Sequence, residues 1–370
     1  MAVDAPPRPL PHQRLERRLD RLREQQRWRD PLCLDRRESV HRDASGLPLQ
    51  DYTANDYLGL SRHPACQQAA ADAAAQWGCS AGASKLVTGD SPLHRDLEAA
   101  LCRWLNRPQS LLFPSGYQAN LGVIATLARP GWIVYSDERN HASLVDGCRL
   151  SRAQVEVYRH GDADHLADRL SRHPGGTPAL IVTDALFSMD GDLAPVADLH
   201  RLAQRHQALL LVDEAHSLGV LGPEGRGLCA AEGVQPDVLI GTFSKGLGSH
   251  GAVAVTDALL GTLLLQTCRS LTYSTALPPP TLGASLAALH LARSAEGDQR
   301  RSRVLALADR LRSGLRTHGW AVTGDGTPLT GVPFPQEDTA GALHARLKEQ
   351  GDLVWAFRPP TVPDGTSLLR

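Results

Sequence analysis

Between Asp51 and Thr275 the chain alternates short apolar runs with stretches of helical periodicity, which limits its possible folds more than any motif it carries. The runs fall at Ser110–Phe113, Trp132–Ser136, Gln154–Tyr158, Ala179–Thr183, Ala208–Asp213, Val238–Thr242 and Ala252–Val255. Each is short enough for a buried strand, and intervening patterns such as Val196–Arg205 read as helices. Strands joined through helices pair in parallel, so the expectation is an α/β fold with a mainly parallel seven-stranded sheet wrapped by helices. Asp90-Ser91-Pro92 predicts a capped helix start with a first-turn proline, and Leu93, Leu97, Leu101 and Trp104 mark the buried face that follows.

Three segments are expected. Residues 1–48 hold a Pro-rich lead and then a basic helix, in which Leu15, Leu19 and Leu22 recur among Arg14, Arg17, Arg18, Arg21 and Arg23 as an amphipathic arm packed on the body. Residues 49–275 hold the α/β domain. After Leu277-Pro278-Pro279-Pro280, a long Ala/Leu/Arg-rich helical stretch leads into a smaller α+β domain over 276–370.

Several classes are disfavoured at once. A net charge of -1 gives no electrostatic case for nucleic acid. The first residues lack the basic and apolar regions of a signal peptide, and no run reaches the roughly 18 apolar residues of a membrane span. The cysteines, 7 in number, are scattered and include no Cys-x-x-Cys pair, which argues against a disulfide framework or zinc site. A cytoplasmic protein without a metal is expected.

Chemistry gathers at two neighbouring runs. Leu209-Leu210-Leu211-Val212 ends in Asp213-Glu214-Ala215-His216, and Val238-Leu239-Ile240-Gly241 leads into Thr242-Phe243-Ser244-Lys245-Gly246. In an open α/β sheet, ligands bind beyond the carboxyl ends of strands, so Asp213, Ser188, Thr242 and Lys245 should converge. A carboxylate and a lysine there suit pyridoxal phosphate, which needs an acid partner for its pyridinium nitrogen and an amine for its aldehyde. Alone, Lys245 would be a solvated loop lysine, Asp213 a turn former and His216 a structural histidine. Lysine is scarce, with only Lys85, Lys245 and Lys348, which speaks for a purpose at Lys245. Ser115-Gly116-Tyr117-Gln118 opens a helix after a strand and can offer backbone amides to a phosphate, although Tyr117 fits a core aromatic equally well. His141, after the run ending near Ser136, can lie over the pyridine ring; a loop histidine is the plainer alternative.

Two matches are set aside. Gly246-Leu247-Gly248-Ser249-His250-Gly251 fits G-x-G-x-x-G but is followed by a strand where the dinucleotide fingerprint needs a helix. Gly78-Cys79-Ser80-Ala81-Gly82 fits G-x-S-x-G but follows an Ala-rich helix where the nucleophile elbow needs a strand.

With these residues placed, the chain resembles the α-oxoamine synthases, a pyridoxal-phosphate family of the type I, aspartate-aminotransferase-like fold. The resemblance runs from about Asp51 to the last residue. It is carried by Asn55-Asp56-Tyr57-Leu58-Gly59-Leu60, Phe187-Ser188-Met189-Asp190-Gly191-Asp192, Val212–His216, Thr242–Gly246, Tyr273-Ser274-Thr275 and Phe357-Arg358-Pro359-Pro360-Thr361-Val362-Pro363. The Arg-Pro-Pro-Thr-Val-Pro form is similar to the branch that condenses L-alanine with a pimeloyl thioester of coenzyme A or acyl carrier protein. The alternatives are a glycine- or serine-using relative with another thioester, and a homologue that binds pyridoxal phosphate without turnover.

The resemblance implies that Lys245 holds the cofactor covalently and that Asp213 partners its ring nitrogen. Ser188, His216 and Thr242 would contact the cofactor, Gly116 and Tyr117 its phosphate, and His141 would stack on the ring and assist at the acyl carbonyl. Arg358 and Asn55 would hold the amino-acid carboxylate, with Thr361 and Arg29 beside the substrate. A homodimer with shared sites is implied, Ser274 and Thr275 reaching the partner's phosphate. Relatives continue beyond the equivalent of Arg370, so a shortened C-terminal domain is expected, and the Pro/Gly-rich segment 329–336 reads poorly as a strand.

Overall fold

The seven apolar runs form one sheet in a computed structural model that describes residues 9–25, 27–38, 40–172, 175–359 and 361–370. The Pro-rich lead over 1–8 and Pro360 of the Arg-Pro-Pro run lie outside the described residues. Across the sheet the order is Gln109–Phe113, Ala252–Thr256, Val238–Thr242, Leu209–Asp213, Ala179–Asp184, Ile133–Asp137 and Gln154–Tyr158. Five neighbouring strands run parallel, and Ala252–Thr256 runs antiparallel between its two neighbours. Successive side chains of a strand face opposite ways, so each run feeds two cores. Leu210 and Val212 join Ile181 and Val253 on one face, whereas Leu211 joins Val182, Ile240 and Ala254 on the other.

Helices fill the connections as the periodicity requires. Pro92–Leu105 buries Leu97, Leu101 and Trp104, with Leu93 half-buried. The expected serine cap is not made. Ser91 Oγ lies 2.8 Å from Nδ1 of His94, a buried histidine one turn on that competes for the hydroxyl. His94 Nε2 is 3.0 Å from the Leu277 carbonyl, which ties the Pro-rich break to this helix.

The chain divides into two compact units, Ala54–Val332 and the residues up to Thr53 with Pro333–Arg370. These limits differ from 48 and 275. Helix Pro279–Ala292 stays in the larger unit because it packs closely on Pro64–Trp77, where a Cβ on Gly283 would stand 2.4 Å from the Ala69 carbonyl oxygen.

The smaller unit contains helices Leu10–Glu24 and Thr339–Glu349 and two small sheets. Strand Val332–Phe334 pairs beside Ser367–Leu369, so a strand does form within 329–336 despite its prolines; three extended residues suffice at a sheet edge. Helix Leu10–Glu24 buries none of its residues, and Leu15 and Leu19 stay 57% and 42% exposed, contrary to the expected packing on the body. Its polar side chains satisfy each other locally, as in the Arg23–Asp20 pair at 3.0 Å, and of the stripe only Leu22 is half-buried.

The loop carrying Ser188 is pinned from two sides of the larger unit. Gly191 has φ +72°, and a Cβ there would stand 2.8 Å from Gly324 Cα, so this turn admits only glycine. His160 bridges two carboxylates: Nδ1 lies 2.9 Å from Asp137 Oδ1, at a strand end, and Nε2 lies 2.5 Å from Asp192 Oδ2, in the Ser188 loop. Burial alone would lower the imidazole pKa, but the two carboxylates hold it up at about 9. A folded pKa above the unfolded value near 6.5 contributes stability that is complete below that value and is lost as pH rises through 9. His160→Gln is therefore expected to destabilise the protein by roughly 1–2 kcal/mol near pH 6, with the difference fading above pH 9, measured by urea unfolding across pH. A difference independent of pH contradicts the charged bridge.

Candidate active site

Parallel pairing brings the two chemical runs to one edge. Asp213 stands opposite Ile240 of the neighbouring strand, and the chain then turns through Thr242 to Lys245. The turn is tight: the Gly248 N–H donates to the Lys245 carbonyl at 2.9 Å, and Ser249 N–H donates to Phe243 at 2.8 Å. A Cβ on Gly246 would stand 2.6 Å from the Leu218 carbonyl oxygen, so glycine beside Lys245 lets this turn lie against the segment after Asp213. Thr242 Oγ1 donates to the Gly251 carbonyl at 2.8 Å and closes the loop's base.

Asp213 is 4% exposed and well provided with donors. Asn120 Nδ2 donates to Oδ2 at 2.6 Å, and the Ala215 N–H donates to Oδ1 at 2.8 Å. Lys245 and Asp213 both act electrostatically on His141, which places the three in one cluster. Protein packed around His141 pushes its pKa down, Lys245 pushes the same way, and Asp213 and Asp146 oppose them. The residue as a whole nonetheless stays exposed, as suits a group that meets a substrate. Its backbone N–H donates to Asp184 Oδ2 at 2.7 Å.

Asp184 ends the next strand in register with Asp213. Burial drives its carboxyl well above the usual range and the neighbouring Asp213 adds to the effect, whereas the His141 N–H and Lys245 oppose it. His216 is 5% exposed, and its Nδ1 lies 2.6 Å from Tyr57 Oη, which also donates to Asn55 Oδ1 at 3.4 Å. Asn55 is thereby joined to His216 through one tyrosine.

Helix Gly116–Leu127 begins as expected: Ser115 Oγ accepts the Gln118 N–H at 3.2 Å. A Cβ on Gly116 would stand 3.9 Å from Thr242 Cβ, so the helix start, whose first amides have no intrahelical acceptor, lies beside the Lys245 loop. Tyr117 is not a core aromatic. It is 43% exposed and donates to Asp146, which raises the phenol's pKa. Ser188 is half-buried in the pinned loop after strand Ala179–Asp184. Thr275 pairs across a single bridge with Ser84, and Ser274 precedes it.

Arg29, Arg358 and Thr361 line one cavity of about 600 Å³ within the smaller unit, together with Trp28, His344 and Trp355. The Arg358 guanidinium donates through Nη2 to the Trp28 carbonyl. Trp28 is itself fixed, with Nε1 2.9 Å from Asp30 Oδ1 and Arg23 stacked 4.4 Å from its ring centre.

Asn120, Ser143, Asp184 and Tyr57 escaped sequence reasoning. Asp184 ends its strand as Asp213 does, which was a usable signal; Asn120 sits one turn beyond Gly116, among apolar neighbours where a buried amide needs a partner.

The residues fit pyridoxal phosphate. Asp213 offers a buried acceptor for the ring nitrogen, Lys245 an amine for the aldehyde, and the Gly116 helix start a ready phosphate site beside Thr242. Comparison with known proteins agrees. The sequence profile of aminotransferase class I and II matches residues 50–370. The 8-amino-7-oxononanoate synthase of Trichlorobacter lovleyi is 44% identical, covering 98% of this chain and 93% of its own length. That of Anaeromyxobacter dehalogenans is 48% identical over 88% of this chain and 81% of its own. Among solved structures, a serine palmitoyltransferase of S. paucimobilis with a bound pyridoxal phosphate–myriocin adduct superposes with TM-score 0.90 at 30% identity, covering 98% of this chain and 93% of that one. The 8-amino-7-oxononanoate synthase of Francisella tularensis gives 0.75 at 27%, covering 87% and 91%. Strand-end chemistry and these likenesses agree: the chain belongs to the class I and II aminotransferase family and, within it, to the group of the 8-amino-7-oxononanoate synthases.

Proposed function

We infer that the protein is a pyridoxal-phosphate-dependent acyltransferase that condenses L-alanine with a pimeloyl thioester, giving 8-amino-7-oxononanoate, carbon dioxide and the free thiol carrier in biotin biosynthesis. The observation that carries this reading is the gathering of Lys245, Asp213 and His141 beyond the carboxyl ends of one sheet, the first two after neighbouring strands, in a chain 44% identical to an 8-amino-7-oxononanoate synthase. When bound, the cofactor supplies the electron sink that stabilises negative charge at the amino acid's α-carbon.

The chain's own groups do the rest. Lys245 Nζ would be the amine that holds the cofactor and the base that moves the proton at the alanine α-carbon. Asp213 would accept the proton of the ring nitrogen, and the Asn120 and Ala215 donors fix its carboxylate in place for that role. Gly116 and Tyr117 amides take the phosphate, and Ser188, His216 and Thr242 orient the cofactor. Arg358 has the planar fork that suits the alanine carboxylate. Arg29 and Thr361, which share the cavity with Arg358, receive the substrate. His141 faces the acyl carbonyl oxygen, where negative charge develops.

The active form is a homodimer in which Ser274 and Thr275 reach the partner's cofactor phosphate. In support, the Ser84–Thr275 bridge joins two segments whose apolar side chains lie open, with Val87 and Tyr273 both 73% exposed. The cysteines, described as free thiols, fit a cytoplasmic location, and no helix among the described residues is long and apolar enough to cross a membrane.

Purified holoenzyme assayed with pimeloyl thioester should prefer alanine over glycine or serine by at least roughly tenfold in kcat/KM, since one methyl or hydroxyl group is worth that in a fitted pocket. A preference for glycine defeats the substrate assignment. Lys245→Ala should lower turnover by at least about a thousandfold while retaining pyridoxal phosphate through its phosphate and ring contacts, followed by cofactor absorbance after gel filtration. Undiminished turnover contradicts the role given to this amine.

A further inference from the structure

A chain of hydrogen bonds runs from the buried Asp213 to the ring of His141, and its direction is fixed at every link. The carboxylate that faces a protonated ring nitrogen can only accept, so the amide atom 2.6 Å from Asp213 Oδ2 is the Asn120 NH₂. That sets the amide's orientation and leaves Asn120 Oδ1 buried without a hydrogen-bond partner. The second hydrogen of the same NH₂ goes to Ser143 Oγ at 2.9 Å. A hydroxyl that accepts there keeps its own proton to donate, and His141 Nδ1 lies 2.7 Å from it. The Ser143 backbone N–H, which can only donate, also points at Nδ1 from 3.3 Å.

Two donors on one ring nitrogen require a lone pair on it. We propose that Asn120 and Ser143 are positioning residues which lock His141 as the neutral tautomer with its proton on Nε2, so that the ring meets the substrate only as a hydrogen-bond donor. This rests on the reading of the Lys245–Asp213 pair as a pyridoxal-phosphate site. The charges facing the ring are Asp213, Lys245 and Asp146; Asp184 is engaged by the backbone N–H of His141. The packing around His141 favours its uncharged form in the same sense.

The tautomer divides the labour of the site. With Nδ1 occupied by Ser143 and Nε2 already protonated, the imidazole has no free lone pair with which to take the α-proton. Proton abstraction is left to Lys245, and His141 Nε2–H is aimed at the acyl oxygen throughout. A histidine free to exchange tautomers would spend part of its time presenting a lone pair to that oxygen, which repels it.

Nitrogen-15 spectra of histidine-labelled holoenzyme, with His141 assigned by its loss in His141→Asn, read the tautomer directly. The expected pattern is an unprotonated Nδ1 and a protonated Nε2 at neutral pH; a protonated Nδ1 overturns the proposal. Ser143→Ala removes one donor to the lone pair, which favours the charged ring. It should therefore raise the acid limb of the kcat/KM profile by about half a pH unit and lower kcat by about tenfold, with KM for alanine within about twofold. Ser143→Thr, which keeps the hydroxyl, should restore both. If Ser143→Ala lowers only the melting temperature and leaves the limb and the tautomer unmoved, Ser143 is merely structural and the proposal fails. Wild-type protein that neither takes up pyridoxal phosphate nor consumes alanine would defeat the functional reading instead, a result distinct from a wrong tautomer in active enzyme.

Discussion

Everything in the larger unit depends on a buried carboxylate that must stay an acceptor. Removing a charge from water is expensive unless donors replace the lost hydration, and Asp213 has two, one from a side chain and one from the backbone of its own turn. The backbone donor comes from the geometry of a strand ending in a tight turn. The side-chain donor comes from helix Gly116–Leu127, the same helix whose start lies beside Thr242. One helix thus braces the acid at one point and offers amides to a phosphate at another. The distance between the two functions is set by the rigid rise of a single turn.

The sheet explains why such a site is reproducible. Alternating residues of each strand enter two separate cores, so a slip by one residue would turn Leu210 and Val212 out of one core and Leu211 out of the other. Register is therefore fixed by burial on both faces, and the strand ends are carried into place with it. The loops beyond are then tied down by contacts that only small residues permit, Gly191 against Gly324 and Gly246 against the Leu218 carbonyl.

Much of this was legible in the sequence because period and punctuation record burial. All seven strands appeared as apolar runs within a residue or so of their ends, and so did the placement of Asp213 and Thr242 at the ends of neighbouring strands. Polar residues that act on other polar residues left no such trace. Ser91 reads as a helix cap until His94, one turn away, claims its hydroxyl. Asn120 and Ser143 lie 23 positions apart and acquire meaning only when two helices meet. The short strand Val332–Phe334 was hidden for another reason: its proline is tolerated only because so few residues are extended there. The exposed stripe of Leu10–Glu24 shows the opposite limit, since periodicity reports a face that can be buried and not whether anything covers it.

The pairing of Asp184 with Asp213 gives the site its last electrostatic feature. Two carboxylates in register on adjacent strands, both nearly dry, cannot comfortably carry two charges. Their surroundings separate them. Asp213 accepts from Asn120 and Ala215, whereas Asp184 accepts the single N–H of His141, and burial with the neighbouring Asp213 drives its carboxyl well above the usual range. Of the two, Asp213 is the one ringed by donors, and so the one equipped to face a cationic ring nitrogen as an acceptor. Asp184 in turn holds the backbone of His141 in place through its N–H, so a carboxylate outside the proposed chemistry positions the imidazole that takes part in it.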